Sequence, residues 1–488
     1  MTKKTCAVIG SGIAGLAAAI RLAAKGCTVD VYETNNYPGG KIKEQHANGY
    51  RFDMGPSVFM LPNLVDELFT LCGKNPRDYF TYSPIETSFK YFFEDGSIIN
   101  AYADLDLFAK EIELKTNHSK EVFDKYLKDI ETKYNITKDV FIENSLHVFS
   151  NFFTKEMAYG VANFNKIDSF KTMNEANKAF FKDPRLVQLF NNYATYIGSN
   201  PFVAPATLNV IQHLEINTGT YLPDKGMYSI VTALVKLAED MGVKFIYNTT
   251  VNEIVVDNKQ VTGIKTKDGF IKYDRVISNM DIYYTYKKLL PHEKFSKRII
   301  EQPKSTSMVC FYWGINKKFN ELGIHNMLFA ADEKEEYHAI FDKKTISNDP
   351  SLYIFITSKH IKDDAPAGCE NWFVLVTAPN DTGQNWDDIV KQARQNTIAK
   401  INRMLKTDIE KHIDFEDNLT PIKIKNNYSS AFGAVYGNSS NSKFAAFLRH
   451  PNFSKKVKGL YFVGGTVHPG AGIPMCLNSA KIMDKVFS

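Results

Sequence analysis

Short apolar runs and a longer segment of helical period alternate over the first 33 residues. The run TCAVIG at residues 5–10 is apolar on both faces, which predicts a buried β-strand. Residues 13–25 are rich in alanine and have helical period, and Gly26 stands where such helices end. The run TVDVYE at residues 28–33 predicts a second strand. The chain therefore begins with a strand–helix–strand unit, which is typical of parallel sheets.

The same patterns predict elements farther along. Residues 221–269 have the pattern of a helix followed by three strands, and residues 274–281 follow as another strand. The apolar runs SMVCFYWGIN and NWFVLVTAP predict two strands of a further sheet, and residues 387–405 have helical period. The sequence holds no run of 18 apolar residues, so we expect no membrane-spanning helix.

Glycines at a set spacing link the first two strands. Gly10, Gly12 and Gly15 have the spacing G-x-G-x-x-G, which allows a tight turn, close approach of a pyrophosphate and close packing of helix on strand. Glu33 ends the second strand 18 residues after Gly15, where a carboxylate meets a ribose hydroxyl. The unit predicts a dinucleotide without a 2′-phosphate, which is NAD or FAD.

The segment after Glu33 favours FAD. Gly39 and Gly40 are followed by the cation Lys41, and the run YRFDMGPS brings a further glycine turn. An extended FAD needs such a continuation, whereas NAD does not. The alternative is that the glycine pair forms a simple hairpin turn.

These motifs resemble those of a known family. The start of the chain and the segment GLYFVGGTVHPGAGIPMCLNSAK at residues 459–481 are similar to bacterial phytoene-desaturase-type carotenoid desaturases, within the flavin amine-oxidase superfamily. The resemblance covers essentially the whole chain. It implies an α/β fold, with a Rossmann-like FAD-binding domain of glutathione-reductase type and an inserted α+β substrate domain containing a mixed sheet and helices.

The resemblance also implies the residues that bind FAD. In such proteins glycines of the last strand approach the flavin, and a helix N-terminus after the HPGAGIP run faces it. The predicted cofactor residues are Gly10, Gly12, Ile13, Ala14, Gly15, Glu33, Thr34, Gly40, Lys41, Gly55, Pro56, Ser57, Val251, Gly465, Gly472 and Ile473. Lys41 stands where the family usually has arginine, which keeps the charge but loses the bidentate geometry.

The implied function is desaturation of a long polyene. The segment GPSVFMLPNLVDELF resembles enzymes acting on terminal 3,4 bonds of hydroxylated or monocyclic carotenoids, such as γ-carotene derivatives. Phytoene desaturase, carotenoid isomerase, flavin amine oxidase and a non-enzymatic carotenoid-binding protein stay as alternatives. The flavin takes the hydride in a desaturase, and oxygen or a membrane quinone must then accept the electrons, because the chain has a single nucleotide motif.

Catalytic residues are less evident than cofactor residues. We predict no metal site. His468, beside Pro469, is the nearest titratable candidate for a base, although a structural histidine bonded to backbone fits the pattern as well. Asp53 and Asp281 fit loop-holding roles better than proton transfer.

The length of 488 residues predicts two or more domains. We assign residues 1–75, 218–300 and 445–488 to the FAD-binding domain. Residues 76–217 and 301–444 are assigned to a substrate and membrane-contact domain.

Residues 140–164 hold six aromatic side chains and few charges. They predict a contact with the membrane or a channel entrance, with packing inside the substrate domain as the alternative. Scattered cysteines, a start within the folding motif and a net charge of +5 predict a cytoplasmic protein at the inner face of the membrane, with no nucleic-acid partner. The pattern leaves the oligomeric state open.

Overall fold

The computed structural model describes residues 3–293, 301–442, 445 and 449–488. The strands are β1 Thr5–Ile9, β2 Thr28–Tyr32, β3 Glu44–Ala47, β4 Tyr50–Asp53, β5 Tyr82–Pro84, β6 Thr87–Phe92, β7 Ile98–Tyr102, β8 Tyr221–Pro223, β9 Lys244–Ile246, β10 Glu253–Asp257, β11 Gln260–Thr266, β12 Gly269–Lys272, β13 Arg275–Ser278, β14 Ser307–Ile315, β15 His325–Leu328, β16 Leu352–Phe355, β17 Glu370–Ala378, β18 Ile413–Leu419 and β19 Leu460–Phe462.

The longer helices are α1 Ile13–Ala24, α2 Asn63–Leu71, α3 Leu105–Lys115, α4 Lys120–Thr137, α5 Lys155–Ala162, α6 Met173–Phe180, α7 Pro184–Asn191, α8 Tyr228–Asp240, α9 Glu333–Phe341, α10 Trp386–Leu405, α11 Pro421–Tyr428 and α12 Ile473–Val486. Helix α1 ends one residue earlier than predicted, because Lys25 takes the C-cap position and Gly26 turns the chain with a φ of +83°.

The first sheet is parallel and has the order β19-β13-β1-β2-β9. Alternate residues of β1 face opposite layers. Cys6 and Val8 pack with α1, α8 and α12, while Ala7 and Ile9 pack against the antiparallel sheet β10-β11-β12. A parallel sheet between helices and a three-stranded sheet is the Rossmann-like architecture that we predicted.

The second sheet is mixed and has the order β18-β14-β17-β16-β15-β6-β7, with β15 and β6 parallel and the other pairs antiparallel. The two predicted apolar strands are β14 and β17, which pair over their full length. One face of this sheet packs on α10. The predicted α/β class with an additional mixed sheet and helices is therefore confirmed.

The predicted domain bounds remain a prediction, and those at residues 1, 300 and 444 lie outside the described residues. Strand β5 pairs with β8, and Asp53 at the end of β4 accepts hydrogen bonds from the backbone N–H groups of Met227 (3.0 Å) and Tyr228 (3.3 Å). Asp53 thus holds the start of α8, as its loop-holding interpretation proposed.

Candidate active site

Two glycine turns meet at the start of α1. Gly12 and Gly39 form an isolated parallel bridge, in which the N–H of Gly39 donates to the carbonyl of Ser11 (2.9 Å). No side chain caps α1, whose N-cap is Gly12. Ile13 and Ala14, in its first turn, line a cavity of about 870 Å³. The uncapped helix end gives this cavity N–H donors that suit a pyrophosphate.

Gly15 has a packing role in this turn. A Cβ at this residue would lie 2.2 Å from the carbonyl oxygen of Gly10, so only glycine lets α1 pack so closely on the strand end.

The carboxylate of Glu33 is held rigidly at the end of β2. One oxygen accepts hydrogen bonds from the backbone N–H (2.9 Å) and hydroxyl (2.7 Å) of Ser11. The other accepts from the backbone N–H (2.9 Å) and side-chain amide (3.0 Å) of Asn35. Glu33 lines the cavity together with Thr34 and Val251, so this region is suited to a ribose and its base.

Lys41 brings a positive charge to the middle of the cavity. Its Nζ donates to the carbonyl of Val435 (2.9 Å). Burial lowers the pKa of Lys41, and the charge of Asp281 opposes that shift. Asp281 in turn accepts from the backbone N–H groups of Tyr283 (2.9 Å) and Ala431 (3.1 Å), and burial raises its pKa. Asp281 therefore holds two loops beside the cavity.

The C-terminal segment closes the same cavity. Gly464 and Gly465 follow β19, and Gly472 turns the chain into α12 with a φ of +98°. Helix α12 has no side-chain cap either, and Gly472 and Ile473 both line the cavity. Two uncapped helix ends from opposite ends of the chain thus face one space.

Asn279 links the end of β1 to the segment after β19. The sequence analysis did not predict it as a residue of the site. Its backbone N–H donates to the carbonyl oxygen of Ile9 (2.8 Å), and its side-chain amide donates to the carbonyl oxygen of Val463 (3.1 Å). A Cβ at Gly12 would lie 2.7 Å from the side-chain oxygen of Asn279. Its position directly after β13 could have indicated this role, because polar residues at the carboxyl ends of parallel strands meet at one edge of the sheet.

A chamber of apolar and aromatic side chains continues the cavity beyond the glycine turns. One face of the mixed sheet forms its wall. On β17, Phe373, Leu375 and Thr377 face the cavity, while the residues between them pack on α10. The sheet wall consists of Phe373, Leu375 and the further apolar lining residues of this sheet, which are Phe89, Met308, Met327, Phe329 just after β15, Tyr353 and Leu419.

Three acids lie at this chamber, namely Glu215, Glu333 and Glu336, and the buried Glu336 lines the cavity while accepting hydrogen bonds from the backbone N–H and the hydroxyl of Ser351 (both 2.6 Å). Glu215 accepts hydrogen bonds from the hydroxyls of Tyr193 and Tyr196, both at 2.6 Å, and Tyr196 lines the cavity. Burial raises the pKa of Glu215 to about 7. Glu333 lines the cavity itself, and burial raises its pKa to about 8.

The structure brings the predicted cofactor residues together. All of them except Gly15, which packs beneath the turn, line this one cavity. The candidate base His468 does not line it. Its Nε2 lies 2.8 Å from the carbonyl oxygen of Asn144, and burial lowers its pKa to about 4. The buried ring thus has the backbone contact of a structural histidine, the alternative weighed for it from the sequence, and its role as a base stays a prediction.

The chain matches the family described as flavin containing amine oxidoreductase over residues 13–482. It belongs to this family. The predicted recognition, the FAD cofactor and the FAD-dependent oxidoreductase class are confirmed by this membership.

Relatives within the family share the full length of the chain. A 1-hydroxycarotenoid 3,4-desaturase of Flavobacterium sp. (strain P99-3) is 46% identical over 479 residues, which cover 98% of both chains. A 4,4′-diapolycopene oxygenase of Methylomonas sp is 31% identical, covering 98% of this chain and 97% of the relative. A 4,4′-diaponeurosporene oxygenase of Staphylococcus aureus is 32% identical, with the same coverage.

Two solved structures share the fold. A putrescine oxidase bound to putrescine aligns with a TM-score of 0.64 at 12% identity, covering 99% of this chain and 98% of that one. An oxidoreductase from Methanosarcina mazei aligns with a TM-score of 0.62 at 13% identity and covers 98% of both chains. At these identities the likeness establishes the fold alone.

The residues present fit FAD. The anchored carboxylate of Glu33, the uncapped end of α1 and the bridge between Gly12 and Gly39 suit its adenosine and pyrophosphate. The flavin end would lie against Gly55, Gly465 and Gly472, where the cavity meets the sheet wall.

Proposed function

We propose that this protein is an FAD-dependent carotenoid desaturase that introduces a double bond at the 3,4 position of a hydroxylated acyclic or monocyclic carotenoid. The observation that carries the proposal is the 46% identity, over 98% of both chains, to a 1-hydroxycarotenoid 3,4-desaturase. The relatives named as oxygenases are less similar, at 31% and 32% identity.

The chamber supports a hydrocarbon substrate. Phenylalanine, methionine and leucine side chains of the sheet wall form an apolar surface that suits a polyene. Burial of each methylene-sized unit contributes about 0.8 kcal/mol, so a long polyene gains affinity along the whole chamber. The wall also keeps water from the reacting bond.

When bound, FAD accepts the hydride that leaves one carbon of the new double bond. A proton leaves the adjacent carbon and needs an acceptor. The hydroxyl of Tyr196 lines the chamber and donates to Glu215. We infer that Tyr196 takes this proton while passing its own to the carboxylate of Glu215. A pKa near 7 enables Glu215 to act in this way at neutral pH.

Each turnover leaves two electrons on the cofactor. We propose that oxygen or a membrane quinone removes them. The two acceptors are distinguished by assaying the holoenzyme without oxygen, with and without added quinone, and measuring product.

The proposed function is tested by product analysis. The chain is expressed in hosts that accumulate a 1-hydroxycarotenoid, γ-carotene or phytoene, and the pigments are analysed by chromatography and mass spectrometry. We expect a product two hydrogen masses lighter from the hydroxylated or monocyclic carotenoid. A product from phytoene alone would instead support phytoene desaturase.

The same experiment separates the other candidates. A gain of oxygen would identify an oxygenase, and a product of unchanged mass would identify an isomerase. Retained pigment without conversion would indicate a binding protein. Consumption of an amine by the purified protein would support an amine oxidase.

We also propose that an exposed aromatic patch attaches the protein to the inner face of the cell membrane. The patch consists of Phe149, Phe152, Phe153, Tyr159, Phe164 and Phe170, whose exposed fractions range from 42% to 77%. Because they are exposed, packing within the chain does not account for them. Five of them lie on short helical elements, including a 3₁₀ turn at Phe149–Phe153 and helix α5, and Phe170 lies in a turn.

A peripheral attachment is consistent with two further observations. Exposed Lys155, Lys166 and Lys171 flank the patch, which suits anionic headgroups. Within the described ranges no helix combines the length and apolarity needed to cross a bilayer.

Vesicle binding tests this attachment. The double variant Phe149→Ser/Phe153→Ser should bind vesicles of phosphatidylglycerol and phosphatidylcholine at least tenfold more weakly, because two large apolar groups are lost. Phe270→Ser is the matched control, since Phe270 is 53% exposed on β12 outside the patch. Equal vesicle binding by both variants and the unaltered protein would exclude the patch as the attachment site.

A further inference from the structure

Three side chains form a hydrogen-bonded chain that ends in the cavity. The Nδ1 atom of His325 lies 2.7 Å from the hydroxyl of Tyr353, and that hydroxyl lies 2.8 Å from the Oγ atom of Ser57. Tyr353 and Ser57 both line the cavity. His325 lies behind them on β15, 1% exposed, with its ring stacked on Phe89 and Phe355.

The surroundings of His325 fix the direction of this chain. Burial lowers the pKa of His325 to about 3, so the ring is neutral and has one N–H. Its Nε2 atom has no hydrogen-bond partner among the described residues. A buried N–H without an acceptor is rarer in proteins than a bare lone pair, so we place the proton on Nδ1.

With that tautomer the donors follow in order. His325 donates to the oxygen of Tyr353, and Tyr353 donates to the oxygen of Ser57. The proton of Ser57 is then left to donate into the cavity, since its Oγ makes no other hydrogen bond to a described residue. The chain therefore presents one directed hydrogen-bond donor beside the apolar side chains of the sheet wall.

Ser57 is at a useful place for a hydroxylated substrate. Like Gly55 and Pro56 before it, Ser57 belongs to the predicted cofactor residues, and it meets the sheet wall through Tyr353. In a 1-hydroxycarotenoid desaturated at its 3,4 bond, the hydroxyl carbon is two bonds from the reacting carbon. A group that binds this hydroxyl must therefore lie beside the flavin.

We propose that the Ser57 hydroxyl donates a hydrogen bond to the C1 hydroxyl oxygen of the substrate, and that Tyr353 and His325 act as positioning residues that direct this donor. The inference rests on the proposed function and deepens it, because it names the group that selects hydroxylated polyenes and sets the bond presented for desaturation.

The test compares two substrates that differ only in the C1 hydroxyl. Both the dissociation constant, from the perturbed flavin absorbance of the holoenzyme, and kcat/KM are measured for the hydroxylated polyene and its deoxy analogue. We expect the unaltered protein to favour the hydroxylated polyene at least tenfold, because one directed hydrogen bond is made. Tyr353→Phe and Ser57→Ala should each reduce this ratio at least fivefold.

Tyr312→Phe is the matched control. Tyr312 is a fully buried tyrosine on β14 of the same sheet, its hydroxyl donates to the carbonyl of Met54 (3.3 Å), and it does not line the cavity. It should keep the ratio of the unaltered protein. The flavin content of each variant is measured, which separates a loss of cofactor from a loss of selectivity.

Two results would overturn the inference. One is an unchanged ratio in both Tyr353→Phe and Ser57→Ala. Equal weakening for both substrates, which a merely structural role would produce, also leaves the ratio unchanged. The other result is an unaltered protein that binds and converts the two substrates equally well. If the unaltered protein binds the hydroxylated polyene selectively and loses this in Tyr353→Phe but converts neither substrate, the binding site stands and the proposed desaturase function fails.

Discussion

Two regions of the same cavity are built by opposite means. The first, here called the cradle, comprises Gly10, Gly12, Gly15, Glu33, Gly39 and Asn279, and the second is the chamber along the sheet wall. In the cradle, glycines and helix ends bring bare backbone to the ligand, and a Cβ at Gly15 would lie 2.2 Å from a carbonyl oxygen. In the chamber, long side chains on alternate positions of strands form the surface. We infer that substitutions in the cradle abolish binding of the cofactor, whereas substitutions in the chamber change only the binding and conversion of the substrate.

The largest expected effect is at Gly15. Gly15→Val should abolish flavin binding and lower folding yield, because its Cβ meets backbone that cannot move aside. The measurements are the ratio of flavin to protein absorbance and the melting temperature. Gly323→Ala is the control, since a Cβ there would lie 3.6 Å from the flexible side chain of Lys90, an ordinary contact, and the backbone at Gly323 is not left-handed. A Gly15→Val protein with full flavin would break the distinction between cradle and chamber.

Glu33→Ala should weaken FAD binding about 10- to 100-fold while the protein stays folded. The substitution removes the carboxylate that would accept a hydrogen bond from the ribose. It also leaves the N–H groups of Ser11 and Asn35 without their acceptor, at a cost of about 1–3 kcal/mol. Titration of the apoprotein with FAD, followed by flavin fluorescence, measures the loss. The exposed Glu239→Ala should keep the affinity of the unaltered protein.

Leu375→Trp tests whether a change in the chamber affects the substrate without affecting the cofactor. The larger side chain fills space along the sheet wall, so carotenoid conversion should fall at least tenfold while flavin content stays full. Leu375→Met conserves volume and should keep most of the activity. Loss of flavin in Leu375→Trp would show that chamber and cradle are not separable.

The smallest of these effects concerns Glu215 and pH. The inferred base must be ionised, so kcat should rise as pH rises through about 7. Glu215→Gln should lower kcat about tenfold and remove this rise, with flavin content unchanged. Tyr193→Phe removes a hydrogen bond that stabilises the ionised carboxylate of Glu215 from the side away from the cavity. The pKa of Glu215 should therefore increase, and the rise in kcat should move to higher pH. A flat pH profile in the unaltered protein would contradict the assignment.

The cradle could be predicted from sequence because its residues are close along the chain. Gly10, Gly12 and Gly15 specify a turn by spacing alone, and Glu33 follows from the length of α1 and β2. Asn279 was missed although its strand was recognised, because its role depends on reaching both Ile9 and Val463.

The chamber could not be predicted in the same way. The neighbours Phe89, Met327 and Tyr353 come from three strands whose register is set by the whole mixed sheet. His468 shows the same limit, because its position beside Pro469 indicated the cavity, while a carbonyl 324 residues away, at Asn144, fixes its ring elsewhere.

The parallel sheet has a consequence for biosynthesis. Strand β13 pairs on one side with β1 and on the other with β19, which begins at Leu460. At about 5–20 residues per second, a ribosome needs roughly 10–40 s to reach β19 after making β13. During that interval the nascent chain exposes an unpaired strand edge, so we expect cofactor loading to follow release and to benefit from chaperones.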